Sequence, residues 1–156
     1  DEIIVNVQAD EPFIEPEVIQ AVINRVKQVK ENNEDIMITS CYKEISSELA
    51  DDPNHVKVIL DEHSNAIYFS RAKVPYHRDH YEASTYSGHL GIYGFTKKSL
   101  NAFCKLSPSK LENIEKLEQL RAIDNGHKIA MVKVVSKSFG IDTQQDLDNA
   151  IKIFKK

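Results

Sequence analysis

The 156-residue sequence predicts one α/β domain whose sheet contains both parallel and antiparallel strands. Near the start, runs of β-branched residues alternate with an amphipathic helix, which is typical of parallel sheets. Two strand-like runs then follow each other around a five-residue turn, as in an antiparallel hairpin. A further apolar run and an amphipathic helix end the sequence. We therefore expect a mixed sheet covered by helices.

The first third of the chain has the pattern of a β-α-β unit. Residues 3–7 form a continuous apolar run, which predicts a strand buried on both faces of a parallel sheet. Pro16 suits the first turn of a helix, and apolar residues follow it at helical spacing up to residue 29. Residues 36–42 predict the second strand, with a right-handed crossover between the two.

The middle of the chain adds antiparallel structure. Residues 56–60 and 66–70 predict a hairpin, and a long polar loop follows it up to Gly88. His77 and His80 in that loop are three residues apart, but Pro75 opposes a helix that would present both, and no third metal ligand is near in sequence. We therefore expect solvated or interface histidines rather than a metal site.

The run from residue 89 to residue 95 predicts a strand with one polar face. His89, Gly91 and Tyr93 share that face, opposite Leu90 and Ile92. A polar ring, a bare backbone position and a phenol are a suitable wall for a ligand. A half-exposed sheet face would give the same alternation, so both interpretations stay open.

A capping box from Ser109 to Glu112 predicts the start of a helix that runs to Gly126. On a helical wheel, Glu118 and Arg121 fall within the apolar arc of that helix. Burying an unpaired charge is costly, so the two residues either pair with each other or face a polar ligand in a cavity.

Carboxylates follow strand-like runs at both ends of the chain. Gln8 and Asp10 end the first strand just before Pro12, and the carboxyl ends of strands are where open α/β sheets bind ligands. An aspartate there is a natural ligand for Mg²⁺, although an ordinary capped turn would also explain it. Asp142 is a second strand-to-helix carboxylate, which a helix cap alone would explain.

Composition excludes several function classes. The formal net charge of −4 argues against a nucleic-acid partner. No apolar run approaches the roughly 20 residues of a membrane span, and no leader precedes the first strand, so a cytoplasmic enzyme or binding protein fits. Because the sequence opens directly in a strand of the buried type, we expect an N-terminal portion of the domain to precede Asp1.

Five sequence blocks stand in the order and approximate spacing of a known family: NVQADEP at 6–12, YFSRAKVP at 68–75, HLGIYG at 89–94, EKLEQLR at 115–121 and GIDT at 140–143. In these blocks the chain resembles the 3-deoxy-manno-octulosonate cytidylyltransferases, also called CMP-Kdo synthetases. One departure is Ala9, where the family pattern leads us to expect glycine.

The resemblance implies a three-layer α/β/α sandwich with a mixed sheet, of the nucleotide-diphospho-sugar transferase type, and a homodimer. It implies a reaction in which CTP and 3-deoxy-manno-octulosonate (Kdo) give CMP-Kdo and pyrophosphate for lipopolysaccharide synthesis. Asp10 and Asp142 would hold the required Mg²⁺ and so act as the catalytic residues. The region of about residues 55–95 would form the hairpin and the dimer contact.

The resemblance also assigns a sugar pocket. Its residues would be Gln8, Arg71, His89, Tyr93, Glu118 and Gln119, with Arg71 suited to the sugar carboxylate. Arg121 is expected instead to be a structural partner of Glu118.

The basic, glycine-containing loop and the cytosine-reading segments of the family are absent from the sequence. We therefore expect residues 1–156 to be a single domain, the C-terminal two-thirds of a cytidylyltransferase, that does not bind CTP productively alone. Two alternatives stay open. One is a non-catalytic sugar-binding or dimerisation fragment, and the other is a cytidylyltransferase for another acidic sugar such as sialic acid.

Overall fold

A six-stranded mixed sheet forms the centre of the structure, a computed structural model that describes residues 2–9, 11–79, 85–137, 140–141 and 144–154. The elements follow in the order β1 (Ile3–Val7), α1 (Pro16–Glu31), β2 (Ile38–Ile45), α2 (Ser47–Asp51), β3 (Lys57–Leu60), β4 (Ala66–Ser70), β5 (Tyr86–Thr96), α3 (Lys97–Phe103), α4 (Lys110–Glu115), α5 (Leu120–Asp124), β6 (Ile129–Lys133) and α6 (Gln144–Phe154). No helix among the described residues is long and apolar enough to cross a membrane.

The long strand β5 organises the sheet, whose order is β4-β3-β5-β2-β6. Strands β1, β2 and β3 all pair with β5 in the antiparallel sense, and β2 pairs with β6 in the parallel sense. The antiparallel hairpin of β3 and β4 confirms the prediction for the middle of the chain. At its turn, the Asp61 carboxylate accepts hydrogen bonds from the backbone N–H groups of His63 and Asn65.

The prediction that β1 is a strand of a parallel sheet buried on both faces is wrong. β1 pairs with β5, with Val5 opposite Gly94, and its residues are half-buried or exposed. Val7 keeps 36% of its surface exposed. The reason is that β5 comes later in the chain and lies between β1 and β2, so the helix α1 connects two strands that point the same way without being neighbours.

Helices cover the sheet on two sides, which confirms the predicted α/β/α arrangement. On one side α1 buries an apolar stripe against β5, as its helical spacing predicts; the stripe consists of Val18, Val22, Val26 and Val29. A Cβ atom on Gly94 of β5 would lie 2.7 Å from atoms of both Val22 and Val26, so glycine allows this helix to approach closely. On the other side, Phe103 and Leu120 pack in the larger cluster with Phe95.

The predicted single helix between Ser109 and Gly126 is wrong, although its capping box is present. Helix α4 ends at Glu115, and Lys116 takes the left-handed conformation with φ 54° and ψ 47°. The chain continues without helical structure to Gln119 before α5 begins. The break lets Leu117 reach the core, and Glu115, just before the break, accepts a hydrogen bond from the backbone N–H of Arg71, the residue that follows β4.

Candidate active site

One cavity of about 260 Å³ brings together all six residues predicted for the sugar pocket. They come from the end of β1, the end of β4, the polar face of β5 and the break between α4 and α5. Among the residues that the structure describes, the lining consists of Gln8, Glu11, Asn54, Val56, Arg71, His89, Gly91, Tyr93, Lys116, Leu117, Glu118, Gln119 and Gly140. The structure therefore places the six residues as a group, while their role in binding stays a prediction.

Strands β1 and β5 form the floor of the cavity. The backbone N–H of Gln8 donates to the Gly91 carbonyl at 3.0 Å, which holds the end of β1 against β5. A Cβ atom on Gly91 would lie 3.1 Å from the Gln8 side chain, so glycine leaves room for that side chain. Gly91, His89 and Tyr93 all line the cavity, as the ligand-wall interpretation of this face predicts.

His89 packs against two aromatic rings and one hydroxyl group. The Phe69 ring meets the imidazole edge-on at 4.8 Å between centroids, and the Tyr93 ring lies 5.5 Å away. The Nε2 atom lies 2.9 Å from the hydroxyl oxygen of Ser40. Burial lowers the pKa of His89 to about 3, so the imidazole is neutral at physiological pH.

Arg71 is fixed by backbone carbonyls and leaves part of its guanidinium available. Its Nε donates to the Glu115 carbonyl at 2.8 Å and its Nη1 donates to the Pro53 carbonyl at 3.1 Å. Two of its five N–H groups are therefore used, and Nη2 makes no hydrogen bond to the described residues. A planar guanidinium anchored on one side is well suited to bind a carboxylate on the other.

Glu118 combines both roles that the sequence left open. It lines the cavity with 64% of its side chain exposed, and its Oε1 accepts a hydrogen bond from Arg121 Nη2 at 3.1 Å. The expected structural role of Arg121 is present, but its stronger partner is Glu112. That pair is bidentate, at 2.9 and 2.6 Å, and it lowers the pKa of the Glu112 carboxyl.

Gln119 presents an amide donor without a partner. Only 3% of the residue is exposed, and its Oε1 accepts a hydrogen bond from the Tyr93 hydroxyl at 3.3 Å. Its Nε2 is buried and has no hydrogen-bond partner among the described residues. Because buried polar groups are normally satisfied, this N–H group is a strong candidate to bind a ligand oxygen.

Sequence reasoning missed three charged residues around the cavity. Lys57 is fully buried, and its Nζ donates to the carbonyls of Arg71 at 2.7 Å and Asp52 at 3.1 Å. Burial lowers the pKa of this lysine, while the charge of Asp52 opposes that shift. The Glu115 carboxylate accepts a hydrogen bond from the Arg71 backbone, and Glu11 accepts one from the backbone N–H of Gly91. Glu11 and Glu115 stand in the blocks 6–12 and 115–121 that carry the family resemblance, whereas Lys57 stands in none of the five blocks.

The two predicted metal ligands, Asp10 and Asp142, lie outside the described residues. Their near neighbours in sequence, Glu11 and Gly140, both line the cavity. His80 also lies outside the described residues, and His77 packs edge-on against Tyr86 at 5.0 Å. Within the described part of the chain, no group of three or more His, Cys, Asp or Glu side chains could hold a metal ion.

Comparisons with known proteins place the chain in context. The family model for cytidylyltransferase matches residues 1–129. The chain is 54% identical to the 3-deoxy-manno-octulosonate cytidylyltransferase of Wolinella succinogenes, over 98% of this chain and 64% of that protein. It is 51% identical to the protein of the same name from Helicobacter pylori, over 99% of this chain and 62% of that protein. The chain thus spans about three-fifths of the length of these relatives.

Solved structures show the same likeness. The structure of CMP:2-keto-3-deoxy-manno-octonic acid synthetase complexed with CTP matches with a TM-score of 0.84 at 30% identity, over 98% of this chain and 61% of that one. The 4-diphosphocytidyl-2C-methyl-D-erythritol synthase of Anaerococcus prevotii matches with a TM-score of 0.58 at 15% identity, over 99% of this chain and 59% of that one. The second match shows a shared fold.

Proposed function

The chain belongs to the cytidylyltransferase family, and from that premise we propose that it forms the sugar-binding part of an enzyme that joins CTP and Kdo to give CMP-Kdo and pyrophosphate. Relatives named for this reaction are 51% and 54% identical to it. The observation that carries the proposal is the cavity itself, where six polar side chains from four separate segments meet.

The donors and acceptors of the cavity suit an acidic sugar. Arg71 offers its remaining N–H groups to the carboxylate of Kdo. The buried Nε2 of Gln119 donates to a sugar oxygen, and the neutral ring of His89 accepts from a hydroxyl. Gln8, Tyr93 and Glu118 complete the contacts around the ring. Together these groups hold the sugar so that its anomeric hydroxyl faces the α-phosphate of CTP.

We also propose that Asp10 and Asp142 hold Mg²⁺. Carboxylates are ligands that Mg²⁺ prefers, and the positions of Glu11 and Gly140 in the lining support the arrangement. When bound, Mg²⁺ would offset phosphate charge and lower the pKa of the sugar hydroxyl. The described residues supply the orientation of the sugar, which is the main contribution of a protein to phosphoryl transfer.

The proposal extends to a homodimer formed through the region of about residues 55–95, acting in the cytoplasm in lipopolysaccharide synthesis. Two exposed apolar side chains in this region support a contact there, because Ile67 is 53% exposed and Tyr76 is 80% exposed. Sedimentation of the wild type against a variant with Ile67→Lys and Tyr76→Lys tests the dimer. We expect the double variant to sediment as a monomer.

The test of the reaction is pyrophosphate release by the natural polypeptide that carries this sequence, supplied with CTP, Mg²⁺ and either Kdo or sialic acid. We expect release with Kdo and little with sialic acid. Preference for sialic acid would favour a cytidylyltransferase for another acidic sugar, and absence of release with both would favour a non-catalytic fragment.

A further inference from the structure

Ser40 of β2 contacts His89, which lines the cavity, although Ser40 itself is not among the described lining residues. It is fully buried, at the point where the register between β2 and β5 shifts. Its hydroxyl oxygen lies 2.7 Å from the Ile92 carbonyl oxygen and 2.9 Å from His89 Nε2. Irregularities of this kind in a sheet commonly re-aim a side chain next to a functional site.

The two contacts of Ser40 determine where the protons lie. A carbonyl oxygen only accepts hydrogen bonds, so the single hydroxyl proton of Ser40 is donated to Ile92. The hydroxyl oxygen must then accept from His89, which requires a proton on Nε2. Since a neutral imidazole carries one N–H, Nδ1 is left as a bare acceptor.

The Nδ1 atom of His89 can accept a hydrogen bond from a ligand. It makes no hydrogen bond to the described residues, and His89 lines the cavity. An acceptor nitrogen favours a hydroxyl over a carboxylate oxygen, whereas the anchored guanidinium of Arg71 favours the carboxylate. The two groups together would therefore determine which way an acidic sugar lies in the cavity.

We propose that Ser40 is a positioning residue that fixes His89 as the Nε2–H tautomer, so that Nδ1 accepts a hydrogen bond from a hydroxyl of the acidic sugar. This inference rests on the proposed function for the identity of the sugar. The tautomer itself is a property of the chain without ligand, so it can be measured separately.

The experiment is long-range proton–nitrogen NMR of the ¹⁵N-labelled chain, with the His89 signals assigned by comparison with His89→Gln. We expect Nε2 of the wild type to have the shift of a protonated ring nitrogen and Nδ1 that of a bare one. In Ser40→Ala, we expect the signals to move towards a mixture of tautomers. The affinity for Kdo in calorimetric titration should fall about five-fold, the effect of one neutral hydrogen bond.

Thr39→Val is the matched control, because it removes a buried hydroxyl from the adjacent residue of β2, whose Cβ lies 3.7 Å from a Cβ placed on Gly94, on the α1 side of the sheet. We expect it to keep the wild-type tautomer and affinity. A bare Nε2 in the wild type, or an unchanged tautomer in Ser40→Ala, would overturn the inference whatever the sugar does. A wild type with the expected tautomer that does not bind Kdo would instead contradict the proposed function, and with it the role of Nδ1 towards the sugar.

Discussion

Glu115 ties two walls of the cavity together, and its replacement by glutamine should weaken both folding and sugar binding. One carboxylate oxygen accepts from the Ser70 hydroxyl at 2.7 Å, and the other accepts from the Arg71 backbone N–H at 3.0 Å. The backbone carbonyl of Glu115 also accepts from the Arg71 guanidinium. The residue thus joins the end of β4 to the break before α5, which carries Glu118 and Gln119.

The size of the effect follows from these contacts. Burial raises the pKa of the Glu115 carboxyl, but hydrogen bonds from Arg71, Ser70 and Tyr68 outweigh burial and lower the pKa overall, so the group is ionised at neutral pH. Glutamine keeps one acceptor oxygen and turns the other into a donor that faces a donor. A hydrogen bond to a charged group contributes about 1.5–3 kcal/mol, so we expect a loss of about 2 kcal/mol. A typical stability of about 5–15 kcal/mol leaves the variant folded.

The same residue gives a pH dependence. The pKa of the Glu115 carboxyl is lower in the folded state than its ordinary value of 4.5. The contribution of Glu115 to folding stability is therefore fully present at pH values above 4.5 and is lost as the pH falls below that value. Urea unfolding of the wild type should therefore show a larger loss of stability on acidification than unfolding of Glu115→Gln. Calorimetric titration should show several-fold weaker binding of Kdo to the variant at neutral pH.

Glu62→Gln, in the exposed turn between β3 and β4, is the matched control and should behave as the wild type. If Glu115→Gln unfolded at the same urea concentration as the wild type and bound Kdo equally well, the view that Glu115 joins the two walls would be refuted.

Three further variants test other parts of the structure. Lys57→Met removes two hydrogen bonds to backbone carbonyls, one of them the carbonyl of Arg71, and it also removes a buried charge. Because these two effects oppose each other, we expect urea unfolding to show a net loss of about 1–2 kcal/mol in stability. Kdo should also bind more weakly. Gly94→Ala forces a methyl group against α1 and should cost about 1–3 kcal/mol in the same assay; unchanged stability would contradict the close approach of α1 to β5. The hydrogen bonds from Arg25 lower the pKa of the Glu34 carboxyl from 4.5 to about 2. The contribution of Glu34 to folding stability is therefore fully present above pH 4.5 and is lost as the pH falls through about 2. Glu34→Gln should flatten the dependence of Tm on pH in that range, measured by circular dichroism.

Local patterns in the sequence predicted the elements whose structure depends on local contacts. Apolar residues at helical spacing after Pro16 predicted α1, and a turn with Asp61 between two β-rich runs predicted the hairpin. The alternation from His89 to Tyr93 predicted which side chains of β5 share a face, since that depends only on the period of a strand. The resemblance to a known family selected six residues that the structure brings to one cavity.

Long-range contacts account for what could not be predicted. The partner of β1 comes from β5, more than 80 residues later in the chain, and nothing in residues 3–7 specifies it. The helix break at Lys116 places a lysine in the left-handed conformation, and the contacts of Glu115 with the end of β4 accompany it. The burial of Lys57 could not be predicted from its strand, because the carbonyls that accept its hydrogen bonds come from other segments.

The central claim is that the cavity binds Kdo, and calorimetric titration of Kdo into the wild type and into Gln119→Met tests it most directly. Methionine is close to glutamine in size but lacks the buried N–H donor that has no partner among the described residues. We expect saturable binding at one site in the wild type and at least about five-fold weaker binding in the variant. Absence of saturable binding to the wild type, or equal affinity in the two proteins, would contradict the account.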